Sequence, residues 1–206
     1  MKTNCVITIG RQFGSGGRYV GRMLAEKLGI PFYDKELLSE AAKQSGICEE
    51  IFEDHDEKPT RSLLFNLVTG MQVHGDAGSY YMDMPLNHKI FLAQFDAIRS
   101  IADKGPCVIV GRCADYILQD KAKCLKVFIH ADMAFRAKRI VEVYGEREQS
   151  PEQRLRDKDK RRAAYHRFYT NMKWGYAQNY HITLDSGELG IDKCADIIAD
   201  LYKSKA

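Results

Sequence analysis

A cluster of glycines next to an arginine has the clearest chemical meaning in this sequence. Residues 14–18, the glycine loop, read Gly-Ser-Gly-Gly-Arg; they follow an apolar run at 5–9 and precede a helical pattern marked by Val20, Leu24 and Leu28. Glycines let backbone N–H groups approach phosphate oxygens, and the N-terminus of the following helix adds a favourable dipole. The strand–loop–helix context therefore predicts a phosphate-binding loop.

The glycine loop departs from the G-x-x-x-x-G-K-[ST] phosphate-binding motif. If Gly16 is the second glycine, Arg11 occupies the first glycine position, Gly17 the lysine position and Arg18 the hydroxyl position. In that motif the lysine brings a positive charge to the phosphates and the hydroxyl binds Mg²⁺. We expect Arg18 to supply the charge from one residue later; the alternative is that Arg18 only stabilises the turn.

A dinucleotide site is another interpretation of the same glycines. Asp34 follows a second strand-like run at 30–33, as does the acid that binds an adenosine ribose in such sites. However, Tyr19 stands where the third glycine of G-x-G-x-x-G belongs. An NAD(P)-dependent oxidoreductase therefore ranks below an enzyme of phosphate transfer.

Basic residues are concentrated in one helical segment of the second half of the chain. Residues 154–167 are rich in arginine and lysine, and Arg136 and Arg139 share one face of an earlier helix. A basic helix face is often only solvated. Phosphoryl transfer, however, spreads negative charge over several oxygens, which arginines stabilise when water is excluded. We interpret the segment as an arginine-rich lid.

The composition predicts one soluble domain. The chain has 206 residues, a net charge of +3, 45% apolar residues and six scattered cysteines without a Cys-x-x-Cys pair. The small net charge argues against a dedicated nucleic-acid binder, and no apolar stretch approaches the roughly 20 residues that span a bilayer. With no secretory pattern at its start, we expect a cytoplasmic protein without a membrane partner.

Alternating strands and helices predict how the chemistry is positioned. Strand-like runs at residues 5–9, 30–33, 107–110, 125–129 and 181–184 alternate with helical patterns. This order predicts a doubly wound parallel sheet, in which ligands bind beyond the carboxyl ends of the strands. The polar residues that fall at those ends are the glycine loop, Asp34, Arg112 and Asp185.

Together these motifs resemble the cytidylate kinase family, and most closely its cytidylate kinase-like branch. The resemblance is carried by residues 7–18, 33–37, 108–115, 157–162 and 182–186. It implies a P-loop kinase-type α/β fold, with a five-stranded parallel sheet flanked by helices, a helical acceptor-binding insertion and an arginine-rich lid. The implied single domain, 1–206, has a core of 1–35, 91–145 and 175–206, an insertion at 36–90 and a lid with basic helix at 146–174.

The resemblance also implies a role for each matching residue. Donor phosphates would contact Gly14, Ser15, Gly16, Gly17 and Arg18; the acceptor would contact Asp34, Arg112, Asp159 and Arg162; catalytic charge would come from Arg18, Arg136, Arg139 and Arg162; and the lid would contribute Arg154 and Lys158. Val110 leaves no evident carboxylate for Mg²⁺ at the end of its strand, so we expect Asp34 or Asp185 to hold Mg²⁺ through water instead.

The function that the resemblance implies is ATP- and Mg²⁺-dependent phosphorylation of a nucleoside monophosphate, with CMP or dCMP as the first acceptor to test. Two departures keep other functions open: Val110 replaces the acid that precedes Gly-Arg, and Glu40 stands where an acceptor-binding arginine is expected. The alternatives are a nucleotide-sensing protein without turnover and a kinase of another small acceptor. The sequence implies no particular oligomeric state.

Overall fold

The fold is built on a parallel sheet of five strands. The structure, a computed structural model, describes residues 5–34, 85–121, 123–147 and 149–204. The strands are β1 (Val6–Arg11), β2 (Phe32–Tyr33), β3 (Val108–Val110), β4 (Cys124–His130) and β5 (Ile182–Asp185). Their order is β2-β3-β1-β4-β5 and every neighbouring pair is parallel. The predicted five-stranded parallel sheet is confirmed.

Helices cover both faces of the sheet. They are α1 (Gly17–Leu28), α2 (Leu86–Lys104), α3 (Ala114–Ile117), α4 (Met133–Tyr144), α5 (Pro151–Thr170), α6 (Ser186–Leu189) and α7 (Ile191–Ser204). Most of the predicted insertion, and Glu40 with it, lies outside the described residues. Within the described part of the chain, no helix is long and apolar enough to cross a membrane.

Alternation along the strands explains the two layers of core. Successive side chains of a strand point to opposite faces. Ile7 therefore packs in the layer beneath α1 and α7, whereas Val6 packs with α2 and α3 on the other face. Because both faces are covered, the strands read as continuous apolar runs. The cysteines at 5, 107, 113, 124 and 194 are buried, and burial raises the pKa of Cys107 to about 12.

Side-chain caps fix where α4 and α5 begin. Asp132 accepts a hydrogen bond from the backbone N–H of Phe135 (2.8 Å), and Ser150 accepts one from that of Gln153 (3.2 Å). Both are favourable N-cap residue types, and Pro151 stands in the first turn of α5. The Gln153 side chain donates to Asp157 (3.0 Å), one turn further along the helix.

Helix α5 carries the predicted basic lid residues but is also part of the core. In its first half, Leu155 is fully buried with Ala137 and Ile140 of α4, against Phe13. In its second half, Tyr165 belongs to the core layer beneath α2 and α3. The basic residues of α5 are therefore held on a helix that is anchored at both ends.

Replacement of Leu155 tests this anchoring. Leu155→Ala removes fully buried apolar contacts between α4, α5 and the glycine loop, and we expect the free energy of unfolding to fall by about 2–5 kcal/mol. Leu189→Ala is the matched control, because Leu189 is 41% exposed, and should change stability by less than about 0.5 kcal/mol. Denaturant unfolding measures both. Equally small decreases in the free energy of unfolding of the two variants would contradict the packing of Leu155.

Candidate functional site

The glycine loop connects β1 to α1, and its conformation excludes side chains at two of its glycines. Gly14 and Gly16 have left-handed φ angles of +80° and +79°. A Cβ atom at Gly14 would lie 2.9 Å from Cγ2 of Ile140, and one at Gly16 would lie 2.8 Å from Cδ1 of Ile191. Gly16 is the N-cap of α1 and has no side chain that could cap it. The N–H of Gly17 donates to the Ser15 hydroxyl at 3.4 Å, and the helix N-terminus otherwise favours anions.

A strongly cationic cavity lies in front of this N-terminus. Its volume is about 320 Å³, and we call it the arginine cavity because five arginines line it. Asp34 is the one carboxylate among the described residues of its wall. The predicted site residues that line the arginine cavity are Gly14, Gly16, Gly17, Arg18, Asp34, Arg112, Arg139 and Arg162; Arg11 also lines it.

Asp34 pairs with arginines from two other elements. Its Oδ2 lies 2.6 Å from Nε of Arg18, and its Oδ1 lies 3.3 Å from Nη1 of Arg112. The side chains of Asp34 and Arg112 are only 7% and 3% exposed, whereas that of Arg18 is 40% exposed. Strands β2 and β3 are neighbours, so their carboxyl ends bring Asp34 and Arg112 together beside the first turn of α1.

The turn that presents Arg112 is strained. Gly111, Arg112 and Cys113 have consecutive positive φ angles of +80°, +52° and +56°, a conformation that costs free energy at the two non-glycine positions. Just beyond it, Asp115 of α3 lies 3.0 Å from Nε2 of His166 on α5, and both side chains are buried. The contact ties the helix that follows the turn to α5.

Asp159 and Arg136 brace the glycine loop from behind. Oδ1 of Asp159 accepts a hydrogen bond from the backbone N–H of Phe13 (2.7 Å), and its Oδ2 accepts one from Nη1 of Arg136 (2.6 Å). Arg136 also donates to the carbonyl oxygen of Phe13 (3.3 Å). Neither side chain is part of the described cavity wall. In this structure both residues hold the backbone immediately before the glycine loop.

The predicted lid residues lie beside the arginine cavity. Arg154 and Lys158 line a second, wider groove of about 1,020 Å³ between the end of α4 and the start of α5, which we call the lid groove. Nη1 of Arg154 donates to the carbonyl oxygen of Gly145 (3.2 Å). The rings of Phe13 and Tyr144 stack at 5.8 Å and form a wall common to the groove and the cavity.

Ser15 and Asp185 lie outside the arginine cavity. Ser15 is fully buried, and its hydroxyl donates to the carbonyl oxygen of Gln12 (2.9 Å). Asp185 caps α6 by accepting from the N–H of Gly187 (2.9 Å) and lines a different pocket. Ser186, which sequence reasoning missed, donates from its buried hydroxyl to the carbonyl oxygens of Ser15 (2.5 Å) and His130 (3.0 Å). The one sequence signal for Ser186 was that it directly follows Asp185, at the end of the motif at residues 182–186.

The order of the strands, the glycine loop and the arginine cavity together define a P-loop kinase-type fold. A shikimate kinase from Acinetobacter baumannii, in complex with shikimate, superposes with a TM-score of 0.53 at 18% identity, over 99% of this chain and 96% of that chain. A shikimate kinase from Bacteroides thetaiotaomicron has a TM-score of 0.54 at 12% identity, over 97% and 98%. These likenesses confirm the fold.

More similar still is an uncharacterized protein from Eubacterium ventriosum ATCC 27560, with a TM-score of 0.71 and 32% identity over 97% of this chain and 99% of that chain. No match was found among curated proteins. Residues 6–188 match the model of the cytidylate kinase-like family. The chain therefore belongs to the cytidylate kinase-like family, as the motifs predicted.

Neutralisation of Asp34 tests the central ion pairs. Asp34→Asn leaves the buried guanidinium of Arg112 without this counter-charge, so we expect the free energy of unfolding to fall by about 3–5 kcal/mol. Asp196→Asn is the control, because the Lys27–Asp196 pair is exposed and should contribute no more than about 1 kcal/mol. Denaturant unfolding at neutral pH measures both. Similar losses in the two variants would contradict the central role of Asp34.

Proposed function

We propose that this protein transfers the γ-phosphoryl group of ATP to a nucleoside monophosphate, with CMP or dCMP as the first acceptors to test. The observation that carries the proposal is the arginine cavity. Five arginines line it beside the N-terminus of α1, and Asp34 is the one carboxylate among the described residues of its wall. Phosphoryl transfer depends on positioning and on the stabilisation of charge spread over phosphate oxygens. Family membership supports the nucleotide as substrate.

Arg18 is the proposed substitute for the missing lysine. Its guanidinium lines the arginine cavity from the first turn of α1, and Asp34 holds its Nε at 2.6 Å. An arginine has several N–H donors in a fixed plane, so pairing with Asp34 leaves others for a phosphate. The backbones of Gly14, Gly16 and Gly17 would bind the remaining donor oxygens.

Arg112 and Arg162 are the proposed contacts of the acceptor's phosphate. Asp34 joins Arg112 to Arg18, so one carboxylate aligns a donor-side and an acceptor-side arginine. Arg162 reaches the cavity from α5, where its Nη1 donates to the carbonyl oxygen of Arg11 (3.4 Å). This arrangement supports in-line transfer without a covalent intermediate.

Asp34 fits the proposed Mg²⁺ ion better than Asp185 does, because only Asp34 lines the arginine cavity. Among the described residues, no three His, Cys, Asp or Glu side chains form a metal-binding group. Mg²⁺ commonly keeps several waters and is bound by substrate phosphates with one or two carboxylates. We therefore assign Asp34 a contact through water, with the ion neutralising phosphate charge.

A nucleotide-sensing protein without turnover is the second candidate. It is favoured by Gly17 at the lysine position and by Val110 where an acid is typical. Such a protein would bind ATP in the same cavity, so binding alone does not distinguish the two functions.

Production of ADP distinguishes a kinase from a nucleotide-sensing protein without turnover. With ATP, Mg²⁺ and a panel of nucleoside monophosphates, we expect turnover with at least one acceptor, CMP or dCMP first. Arg18→Ala should lower kcat by about 100-fold or more, because it removes a charged group from the transition state. Arg22→Ala is the control from the next turn of α1, where the guanidinium lies over Phe32, and should retain activity.

Two results would contradict this assignment. No ADP with any monophosphate, in protein that still binds ATP, would favour the sensing function or another acceptor. Unchanged kcat in Arg18→Ala would remove Arg18 from its proposed role while leaving the kinase activity in place.

Arg112→Lys tests the acceptor site separately. The substitution keeps the charge but loses the planar donor geometry that matches phosphate. We expect the KM for the acceptor to rise about tenfold, the equivalent of about 1.4 kcal/mol, with the KM for ATP unchanged. Steady-state kinetics with each substrate varied in turn gives both values. A rise confined to the KM for ATP would place Arg112 on the donor side instead.

A further inference from the structure

We infer that Tyr19 is a positioning residue that holds Arg139 in place for the phosphates of the donor; the inference rests on the proposed function. Cζ of Arg139, on α4, lies 4.6 Å from the centroid of the Tyr19 ring, on the first turn of α1. Both residues line the arginine cavity, and Tyr19 is 47% exposed.

Arg139 is held differently from other arginines of the cavity. Arg18 and Arg112 pair with Asp34, and Arg162 donates to a backbone carbonyl in addition to lying over the Phe13 ring, with Cζ 5.6 Å from its centroid. Among the described residues, the contact found for Arg139 is with the face of Tyr19, a cation–π interaction. This contact uses the guanidinium's charge and leaves its N–H donors for a ligand.

The location of this pair points to the donor. A Cβ atom at Gly16 would lie 3.4 Å from Nε of Arg139, so the arginine runs directly alongside the N-cap of α1. Phosphates bound at a helix N-terminus approach these backbone N–H groups. An arginine paired with a carboxylate would have to share its charge with that acid, whereas Arg139 can bind phosphate while remaining against the ring. Tyr19 would thus fix the direction of the guanidinium.

Binding of tripolyphosphate, compared with ATP, tests the inference. Calorimetric titrations with Mg²⁺ would use wild type, Tyr19→Leu, Tyr19→Phe and Arg139→Ala. We expect Tyr19→Leu to weaken both ligands equally, by about five- to tenfold, and Tyr19→Phe to stay within about twofold because the ring is kept. Tyr176→Leu is the matched control: Tyr176 is a similarly exposed tyrosine beneath a cation, Lys173, outside the arginine cavity.

A double variant separates positioning from direct contact. If Tyr19 acts through Arg139, Tyr19→Leu should cause no further loss when added to Arg139→Ala. Additive losses would overturn the inference, as would a loss confined to ATP, which would mean that Tyr19 stacks on the base. Failure of the wild type to bind tripolyphosphate would also overturn it. The predicted binding pattern without ADP production would instead support the role of Tyr19 and contradict the kinase assignment.

Discussion

The ion pairs of Asp34 hold the candidate site together. Five arginines around about 320 Å³ repel one another, and a buried guanidinium such as that of Arg112 is costly without a counter-charge. Asp34 offsets this cost at two arginines at once, and in doing so joins the end of β2, the first turn of α1 and the turn after β3. The residual positive charge of the cavity then faces the space where phosphates would bind.

Around this centre, the glycine loop is braced by side chains of α4, α5 and α6 that lie outside the described cavity wall. Asp159 of α5 and Arg136 of α4 hold the backbone of Phe13, and Ser186 of α6 holds that of Ser15. A loop of glycines has high conformational freedom, so its shape has to come from neighbours. The fully buried Leu155 adds apolar packing to the same bracing.

The sequence predicted the sheet, the loop and the convergence of Asp34, Arg18 and Arg112, because apolar runs mark parallel strands and their carboxyl ends share one edge. It could not predict that Asp159 accepts from the backbone of Phe13, since spacing on a helix does not show which loop the helix will contact. The Tyr19–Arg139 contact was missed for the same reason: it joins α1 to α4, far apart in sequence.

Helix α5 links the glycine loop to the turn that presents Arg112. Asp159, in its first half, accepts from the backbone next to the glycine loop, and Arg162, just past its midpoint, lines the arginine cavity. In its second half, His166 pairs with Asp115, immediately after the strained turn that presents Arg112. Strained backbone persists only where its surroundings over-determine it, and this buried contact provides part of that restraint. The helix that carries the lid residues therefore also sets the geometry in which the two phosphate groups would meet.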